Sequence, residues 1–367
     1  MAWRARAPGR LDLLGGVADY AGALVLQLPT SQGTEVELAP AGALVIGPAE
    51  LSVTEVAHLA ALPYPELRAA LAHLPRWTLY PLGVVLVLVR HGLIDPPRGR
   101  LTISSNLPAS VGAASSAALE AATARVLAPD VEPLQLATLC QEAENHVVGA
   151  PCGIMDQVAV VVGRPGAVLP VLCRPASVEP PVPLPEGYEV VGWPTGAPHD
   201  VGAAPYVRAR AAAFMGKRVL EAASGRSWSW ISELPAPAVA TLPDALDGAA
   251  FLDRWGGTSD PLTSVEPDVV YPVRSATAFG GDEHRRAEVA LACLRTGDVA
   301  ALGPLMAASH YGYAAMGLGH PAADEVTAHA LARAGVIGAR SSGGGSGGTV
   351  VVLARSGVFD GVEDLIR

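Results

Sequence analysis

Charged residues are scarce in this sequence, and acidic residues outnumber basic ones. Aspartate, glutamate, lysine and arginine make up 16% of the 367 residues, and the formal net charge is −10. Because nucleic-acid binding needs a concentrated basic surface, this balance argues against a nucleic-acid partner. Half of the residues are hydrophobic. That share is enough for a sizeable core, and the chain length fits one large α/β unit or two domains.

Cysteines and long apolar runs are also scarce. The cysteines are Cys140, Cys152, Cys173 and Cys293. None forms a C-x-x-C pair, so a zinc site is not supported. The first ten residues lack the apolar core of a signal peptide, and the run Leu82–Val89 is too short to span a bilayer. These absences predict a cytoplasmic protein with reduced thiols and no membrane partner.

Local patterns in the first half predict a strand followed by two helices. The stretch Leu101–Ser105 is typical of a strand, and a loop of small residues follows it. From about Ala113 the sequence is Ala-rich and helix-forming until Pro129 stops it. A second helix begins at Pro133 and ends at Gly149.

The second half predicts further strands and a glycine-rich loop. Residues 166–172 and 188–193 are typical of strands, and the proline-rich stretch 176–187 is expected to connect two domains. Ser341–Gly348 lies tightly between two strand-like segments. A flexible linker would not be placed there, so the loop indicates close backbone approach to a ligand.

Two acidic residues lie in apolar surroundings. Glu144 falls on or beside the apolar face of the second predicted helix. A carboxylate there needs a partner, which could be an arginine or a Mg²⁺ ion. Asp156 stands inside an apolar stretch, where a carboxylate has either a structural hydrogen-bonding role or a catalytic one.

The loop Pro108–Ser116 lies directly before the Ala-rich helix. Its small residues would let backbone N–H groups approach an anion, and a helix N-terminus adds a positive partial charge. Ser115 and Ser116 could cap the helix or bind Mg²⁺. The loop has no GK[ST] and is therefore not a Walker A motif.

The order of these segments resembles the GHMP kinase superfamily. "APGRLDLLGGVADYAGALVL" resembles the galactokinase signature, "LPASVGAASSAALE" is similar to the family's ATP loop, "PCGIMDQ" matches galactokinases, and "GARSSGGGSGG" is similar to the third family motif. Within the galactokinase family, "CQEAENHVVGAPCGIMDQ" and "SHYGYAAMGLG" are most similar to the L-arabinokinase branch.

The resemblance implies an α+β fold with two GHMP kinase domains. Residues 1–185 would form an N-terminal mixed α/β domain like ribosomal protein S5 domain 2, with a left-handed βαβ crossover. Residues 186–367 would form a C-terminal ferredoxin-like domain that carries the glycine-rich loop 343–348. The active site is expected in the cleft between the two domains.

The resemblance also implies an ATP-dependent kinase that phosphorylates the anomeric C1 hydroxyl of a monosaccharide. Asp156 would orient or deprotonate that hydroxyl. Arg10 would hold Asp156 ionised and stabilise charge on the transferring phosphoryl group. Ser116 and Glu144 would hold Mg²⁺. The expected partners are therefore ATP and a monosaccharide, and the oligomeric state, monomer or dimer, stays open.

The same resemblance assigns the binding residues. Those expected at the nucleotide are Pro108, Ser110, Gly112, Ala113, Ala114, Ser115, Ser116 and Trp77. Those expected at the sugar are Asp19, Gly16, Gly153 and Tyr206. Trp77 could instead be a plain core aromatic.

Gly16 decides which sugar is favoured. Galactokinases carry Glu-His where this chain has Gly16-Val17, and the resemblance implies that this glutamate holds the C6 hydroxymethyl group. L-Arabinopyranose lacks that group, so a carboxylate would be left unsatisfied beside it. Gly16 therefore favours L-arabinose. It also fits galacturonate, and galactose and a non-catalytic sugar sensor remain alternatives.

Overall fold

A computed structural model describes residues 3–109, 111–197 and 204–367. Its β-strands, in chain order, are β1 Trp3–Leu14, β2 Leu24–Ala39, β3 Leu44–Ile46, β4 Ala49–Leu51, β5 Gly99–Ser105, β6 Ala167–Cys173, β7 Ala176–Val178, β8 Val182–Pro183, β9 Tyr188–Pro194, β10 Leu246–Asp247, β11 Val270–Tyr271, β12 Val336–Ser341 and β13 Thr349–Arg355.

The α-helices lie in groups between these strands. They are α1 Val53–Ala61, α2 Tyr64–Leu71, α3 Arg76–Arg90, α4 Ser115–Leu127, α5 Pro133–Glu142, α6 Met155–Val162, α7 Ala204–Ser224, α8 Ala236–Val239, α9 Gly248–Trp255, α10 Val273–Thr296, α11 Leu302–Ala315 and α12 Pro321–Leu331. A π-helical turn, Ala143–Val148, follows α5, and Gly16–Asp19 forms a 3-10 turn.

The described residues group into two compact units that interleave along the chain. Unit 1 contains residues 3–10, 29–108 and 114–165, and unit 2 contains residues 11–28, 109–113 and 166–367. Strands β1 and β2 therefore contribute residues to both units. Each unit combines segments from several parts of the chain. The domain boundary expected between residues 185 and 186 therefore stays a prediction.

The sheet of unit 1 has the strand order β4-β3-β5-β2, and β1 also pairs with β2. Strand β3 runs parallel to β5, whereas the β3–β4 and β2–β5 pairs are antiparallel. Helix α4 packs against α3, α5 and α6. Ala117, Ala118, Ala121 and Ala122 of α4 are fully buried, because only small side chains let a helix approach neighbours on several sides.

Unit 2 contains an antiparallel sheet of order β12-β13-β9, and α11 and α12 pack on β12. The glycine-rich loop joins β12 to β13, as expected from the sequence, and Ser341 pairs with Val350 where the strands meet it. Helices α7 and α10 pack side by side over a core that includes Tyr206, Phe279 and Tyr313.

The local predictions agree with these elements. The strand expected at 101–105 is β5, those expected at 166–172 and 188–193 are β6 and β9, and the helix expected from Pro133 to Gly149 is α5 with its π turn. Across the described parts of the chain, helices that combine the length and the apolar character needed to cross a bilayer are absent.

Candidate active site

Arg10 and Asp156 form a bidentate ion pair in unit 1. The Nε atom of Arg10 donates to Oδ1 of Asp156, and its NH2 group donates to Oδ2, both at 2.8 Å. The Arg10 side chain is 2% exposed, whereas that of Asp156 is 21% exposed. The two bonds fix the plane of the carboxylate, and the remaining exposure leaves it accessible to a reacting hydroxyl.

Local structure explains where this pair lies. Arg10 belongs to the buried part of β1, so its guanidinium needs an acidic partner. Asp156 stands in the first turn of α6, where the positive end of the helix stabilises a negative side chain. Both residues were expected to act together, and unit 1 brings them into direct contact.

Glu144 lies beside a second buried carboxylate, that of Glu120. Glu144 is 3% exposed and Glu120 is fully buried. The side-chain amide of Gln157 donates to Oε2 of Glu144 at 2.6 Å and to Oε2 of Glu120 at 3.3 Å. The Gln157 amide therefore bridges the two buried carboxylates, and an amide carries no positive charge that would neutralise them.

The electrostatics of this pair follow from burial. Burial, and then the nearby charge of Asp156, raise the pKa of Glu144 to about 7, against a hydrogen bond with Ser116 that lowers it. Burial and the charge of Glu144 also raise the pKa of Glu120 well above its usual range. Such raised values indicate a site that gains from a cation or from protons.

The π turn Ala143–Val148 gives Glu144 its position. Extra residues in a helical turn often occur at functional sites, and Gly149 closes this one with a left-handed φ of +81°. After Gly149, the backbone N–H of Cys152 donates to Oδ1 of Asn145 at 2.8 Å. This bond holds the loop that contains Gly153, which is itself buried.

The described residues contain no group of three or more His, Cys, Asp or Glu side chains arranged to hold a metal. Mg²⁺ in nucleotide sites, however, needs only one or two protein carboxylates, since phosphates and waters complete its shell. Glu144, with its hydrogen bond to Ser116, meets that requirement. The Oε1 atom of Glu120 is buried without a hydrogen-bond partner, so the residues fit a divalent cation.

The loop before α4 contains two residues with left-handed backbone angles. Ala114 is the N-cap residue, with a left-handed φ of +58°, and its own side chain makes no cap hydrogen bond. Ser115 and Ser116 are therefore the first helical residues and not the N-cap. Gly112 also has a left-handed φ, of +78°. Pro108 and Ala113 lie in the described loop, and Ser110 lies outside the described residues.

Trp77 lies in unit 1 at the start of α3. Its side chain is 46% exposed, which argues against a plain core aromatic. The ring rests on the turn at Gly47, where an added Cβ atom would lie 2.4 Å from Cη2 of Trp77. The role of Trp77 at the nucleotide stays a prediction.

Gly16 and Asp19, two of the residues expected at the sugar, lie in unit 2 on the 3-10 turn Gly16–Asp19. Oδ1 of Asp12 accepts hydrogen bonds from the backbone N–H of Gly16 at 3.0 Å and from Nε2 of Gln27 at 2.8 Å. Asp19 is 6% exposed, and its Oδ1 accepts from the N–H of Tyr20 at 2.7 Å.

Tyr206 lies close to the same turn. The rings of Tyr206 and Tyr20 meet edge to face with centroids 6.1 Å apart, and the Arg210 guanidinium lies 5.1 Å from the centre of the Tyr20 ring. Unit 2 therefore brings together three of the four expected sugar residues. The fourth, Gly153, belongs to unit 1.

Sequence reasoning missed several polar residues that the structure places beside these sites. They are Asp12, Glu120, Gln157, Glu283, which accepts the N–H of Gly15 at 3.0 Å, Tyr313 and Arg340. Glu120 could have been found from the sequence, because it is the first charged residue in the Ala-rich helix α4. So could Asp12, since it interrupts the apolar run of β1.

Two family profiles match this chain. The profile for the GHMP kinases N terminal domain matches residues 80–164, and that for the GHMP kinases C terminal part matches residues 290–359. Both matches fall on segments described above: the first contains α4 and Asp156, and the second contains α11 and the glycine-rich loop.

Two relatives that match nearly all of this chain are named as sugar kinases. The L-arabinokinase of Arabidopsis thaliana is 29% identical over 96% of this chain, which spans 42% of that relative's length. The galactokinase of Chloroflexus aggregans is 30% identical over 97% of this chain and 85% of its own.

Solved structures show the same fold at lower identity. The Lactococcus lactis galactokinase, crystallised with galactose, superposes with a TM-score of 0.77 at 22% identity, covering 96% of this chain and 86% of its own. The Methanococcus jannaschii mevalonate kinase gives a TM-score of 0.58 at 14% identity, covering 97% and 90%.

Proposed function

Because this chain belongs to the GHMP kinase family and has its two-domain fold, we propose that it is an ATP-dependent sugar kinase that acts on the anomeric hydroxyl of L-arabinose. The product would be L-arabinose 1-phosphate. The observation that carries the proposal is the Arg10–Asp156 pair, in which a fixed carboxylate keeps part of its surface exposed.

In the proposed reaction, the C1 oxygen of the sugar attacks the γ-phosphorus of ATP, and the bond from that phosphorus to the bridging oxygen of ADP breaks. Asp156 orients the C1 hydroxyl and accepts its proton. The buried guanidinium of Arg10 stabilises the negative charge on the transferring group. Phosphoryl transfer leaves little covalent work for the protein, so positioning and electrostatics supply most of the rate.

Mg²⁺ belongs to the proposal as the partner of ATP, and when bound it would neutralise charge on the β- and γ-phosphates. Ser116 and Glu144 would hold it. Gln157 holds the Glu144 carboxylate in place through its 2.6 Å hydrogen bond. The raised pKa of Glu144 fits a ligand that is stabilised by a cation.

The nucleotide would bind at the start of α4. The N-cap residue Ala114 makes no side-chain cap hydrogen bond, and we propose that the first-turn N–H groups bind phosphate oxygens. Gly112, Ala113 and Ala114 would let the phosphates approach the backbone, and Trp77 would contact the adenine. Because ATP is the co-substrate, we also propose that the protein works in the cytoplasm.

The choice of L-arabinose rests on Gly16. Asp19 and Tyr206 would bind the ring hydroxyls, as Gly153 would through its backbone, and sites of this kind reject sugars that lack the matching hydroxyl. Gly16 leaves no side chain for a C6 hydroxymethyl group. D-Galactose and D-galacturonate remain the alternative substrates, and a non-catalytic sugar sensor is the alternative from another class.

The test is a substrate panel. ADP release would be measured with ATP and Mg²⁺ on L-arabinose, D-galactose, D-galacturonate, L-homoserine and no acceptor. We expect the highest kcat/KM with L-arabinose. A preference for galactose would keep the kinase and refute the Gly16 argument. Sugar binding without any ADP release would favour the sensor and refute the proposed activity.

A further inference from the structure

Tyr313 of α11 is a fully buried residue whose hydroxyl contacts two loops of unit 2. The hydroxyl oxygen accepts a hydrogen bond from the backbone N–H of Val17 at 3.1 Å and donates one to the carbonyl oxygen of Gly343 at 2.5 Å. Val17 lies on the 3-10 turn of the proposed sugar site, and Gly343 lies on the glycine-rich loop. One side-chain atom therefore connects loops from opposite ends of the chain.

The same hydroxyl fills the space that a side chain at residue 16 would need. A Cβ atom added at Gly16 would lie 1.7 Å from the Tyr313 hydroxyl oxygen and 2.9 Å from its Cζ atom. Both distances are shorter than real Cβ contacts. Gly16 also has a φ of +49°, in the left-handed region that other residues adopt only at a cost. Residue 16 is therefore held as glycine by Tyr313.

The ring of Tyr313 is fixed on its other sides. A Cβ atom at Gly345 would lie 2.7 Å from its Cδ1 atom, and Gly345 has a left-handed φ of +71°. The guanidinium carbon of Arg340 lies 5.1 Å from the ring centroid. Arg340 in turn pairs with Asp12 at 2.8 Å, and Asp12 accepts the N–H of Gly16. The tyrosine cannot rotate away from Gly16 without disturbing these contacts.

We propose that Tyr313 is a positioning and specificity-determining residue of the sugar site. It holds the backbone of the turn that carries Asp19, and it excludes every side chain from position 16. Exclusion of a side chain there restricts the site to sugars that need no contact at C6, such as a pentopyranose. This inference rests on the proposed function for its substrate, but the Tyr313–Gly16 contact stands without it.

The positioning role is tested by Tyr313→Phe, which removes only the hydroxyl. The loss leaves the N–H of Val17 without its buried acceptor, and we expect KM for L-arabinose to rise about tenfold while KM for ATP changes less than twofold. Tyr271→Phe is the matched control, since Tyr271 is also fully buried in unit 2 and its hydroxyl accepts a backbone N–H at 2.7 Å. Equal effects of the two variants on the sugar KM would overturn the positioning role.

The exclusion role is tested by a double-mutant cycle of Gly16→Ala and Tyr313→Leu. Gly16→Ala alone should lower the melting temperature and raise the sugar KM, because its Cβ atom collides with the hydroxyl. Tyr313→Leu removes the colliding atoms, so Gly16→Ala should cost much less in that background. Additive effects on the melting temperature would overturn the inference, even if no sugar is ever phosphorylated.

The proposed effect of Tyr313 on sugar preference is tested by Gly16→Glu in the Tyr313→Leu background. Relative to Tyr313→Leu alone, this variant should shift the kcat/KM ratio of D-galactose to L-arabinose upward by roughly tenfold, the order of one new buried hydrogen bond to a charged group. An unchanged ratio would refute the specificity role. Inactivity of the unmodified enzyme on all sugars would instead refute the proposed function, while the melting cycle would still decide the contact.

Discussion

Each unit of this molecule contains a buried arginine paired with an aspartate, and the two pairs differ in one respect. In unit 1, Asp156 is 21% exposed beside a buried Arg10, whereas in unit 2 both Asp12 and Arg340 are fully buried. A carboxylate held by arginine but open to its surroundings can take part in a reaction. A carboxylate that is fully buried against an arginine, with further hydrogen bonds to its neighbours, is expected to hold structure.

The residues around Asp12 and Asp156 differ as well. Asp12 also accepts hydrogen bonds from the N–H of Gly16 and from Gln27, so it fixes the start of the 3-10 turn Gly16–Asp19. Asp156 has the acidic residues Glu144 and Glu120 nearby; burial raises the pKa of both, and the charge of Asp156 adds to the effect. The fully buried pair Asp12–Arg340, the closed pair, therefore holds the turn Gly16–Asp19. The partly exposed pair Arg10–Asp156, the open pair, lies in an acidic region that a cation would stabilise.

The largest expected effect is on catalysis at the open pair. Asp156→Asn keeps the shape of the side chain but removes its capacity to take a proton, so kcat should fall by about 10² to 10⁴. The melting temperature should also fall, because the amide accepts only one of the two Arg10 hydrogen bonds and leaves the buried guanidinium without its counter-charge. Steady-state ADP release measures the first effect and calorimetry the second.

The matched control for that substitution is Asp130→Asn, which changes an exposed aspartate of unit 1 and should leave kcat unaltered. Retention of kcat within about tenfold in Asp156→Asn would contradict a catalytic role for Asp156.

Breaking the closed pair, Asp12–Arg340, should lower the stability of the protein most. Asp12→Ala leaves the guanidinium of Arg340 buried without its partner, which costs about 3–5 kcal/mol of stability. We expect a clear fall in the melting temperature, measured by calorimetry, with Asp253→Asn on the surface of unit 2 as the neutral control. A melting temperature equal to that of the unmodified protein would show that the pair does not hold unit 2 together.

A smaller effect is expected from pH at Glu144. Its folded pKa of about 7 lies above the ordinary value of a glutamate, so the folded state binds more protons than the unfolded state between these values. The contribution of Glu144 to stability should therefore fall as pH rises from about 4.5 to 7 and then level off.

Melting curves without Mg²⁺ and nucleotide, for the unmodified protein and Glu144→Gln, isolate this contribution. The variant cannot titrate at this position, so it should gain stability over the unmodified protein as pH increases. A difference between the two proteins that stays constant from pH 5 to 8 would rule out the raised pKa.

The smallest expected effect concerns the residue that orients the proposed metal ligand. Gln157→Leu removes the amide that serves Glu144 and Glu120, and the apparent KM for Mg²⁺ should rise about tenfold, as for other lost partners of metal ligands. Mg²⁺ titration at saturating ATP and sugar measures it, with the exposed Gln135→Leu as control. An unaltered Mg²⁺ dependence would exclude this positioning role.

Local features of the fold followed from the sequence. Small residues predicted the loop before α4, the 3.6-residue period predicted the burial of Glu144 on the helix after Pro133, and glycines between apolar runs predicted the β12–β13 connection. Each of these depends on residues close together in the chain, where propensity and periodicity act directly.

The contacts between distant residues could not be predicted in this way. Asp12 and Arg340 are 328 positions apart, and nothing in either segment specifies the other. The π turn at Ala143–Val148 has no period of its own to detect, so Glu144 was expected on an ordinary helix. Tyr313 was hidden in an apolar helix, and only the space around Gly16 reveals its role.

The central claim is that this chain transfers phosphate to the anomeric oxygen of L-arabinose. Phosphorus NMR of the products from ATP, Mg²⁺ and L-arabinose tests it most directly. We expect a single new phosphate ester whose phosphorus couples to the C1 proton of the sugar. Release of inorganic phosphate alone, or an ester at another carbon, would contradict the account.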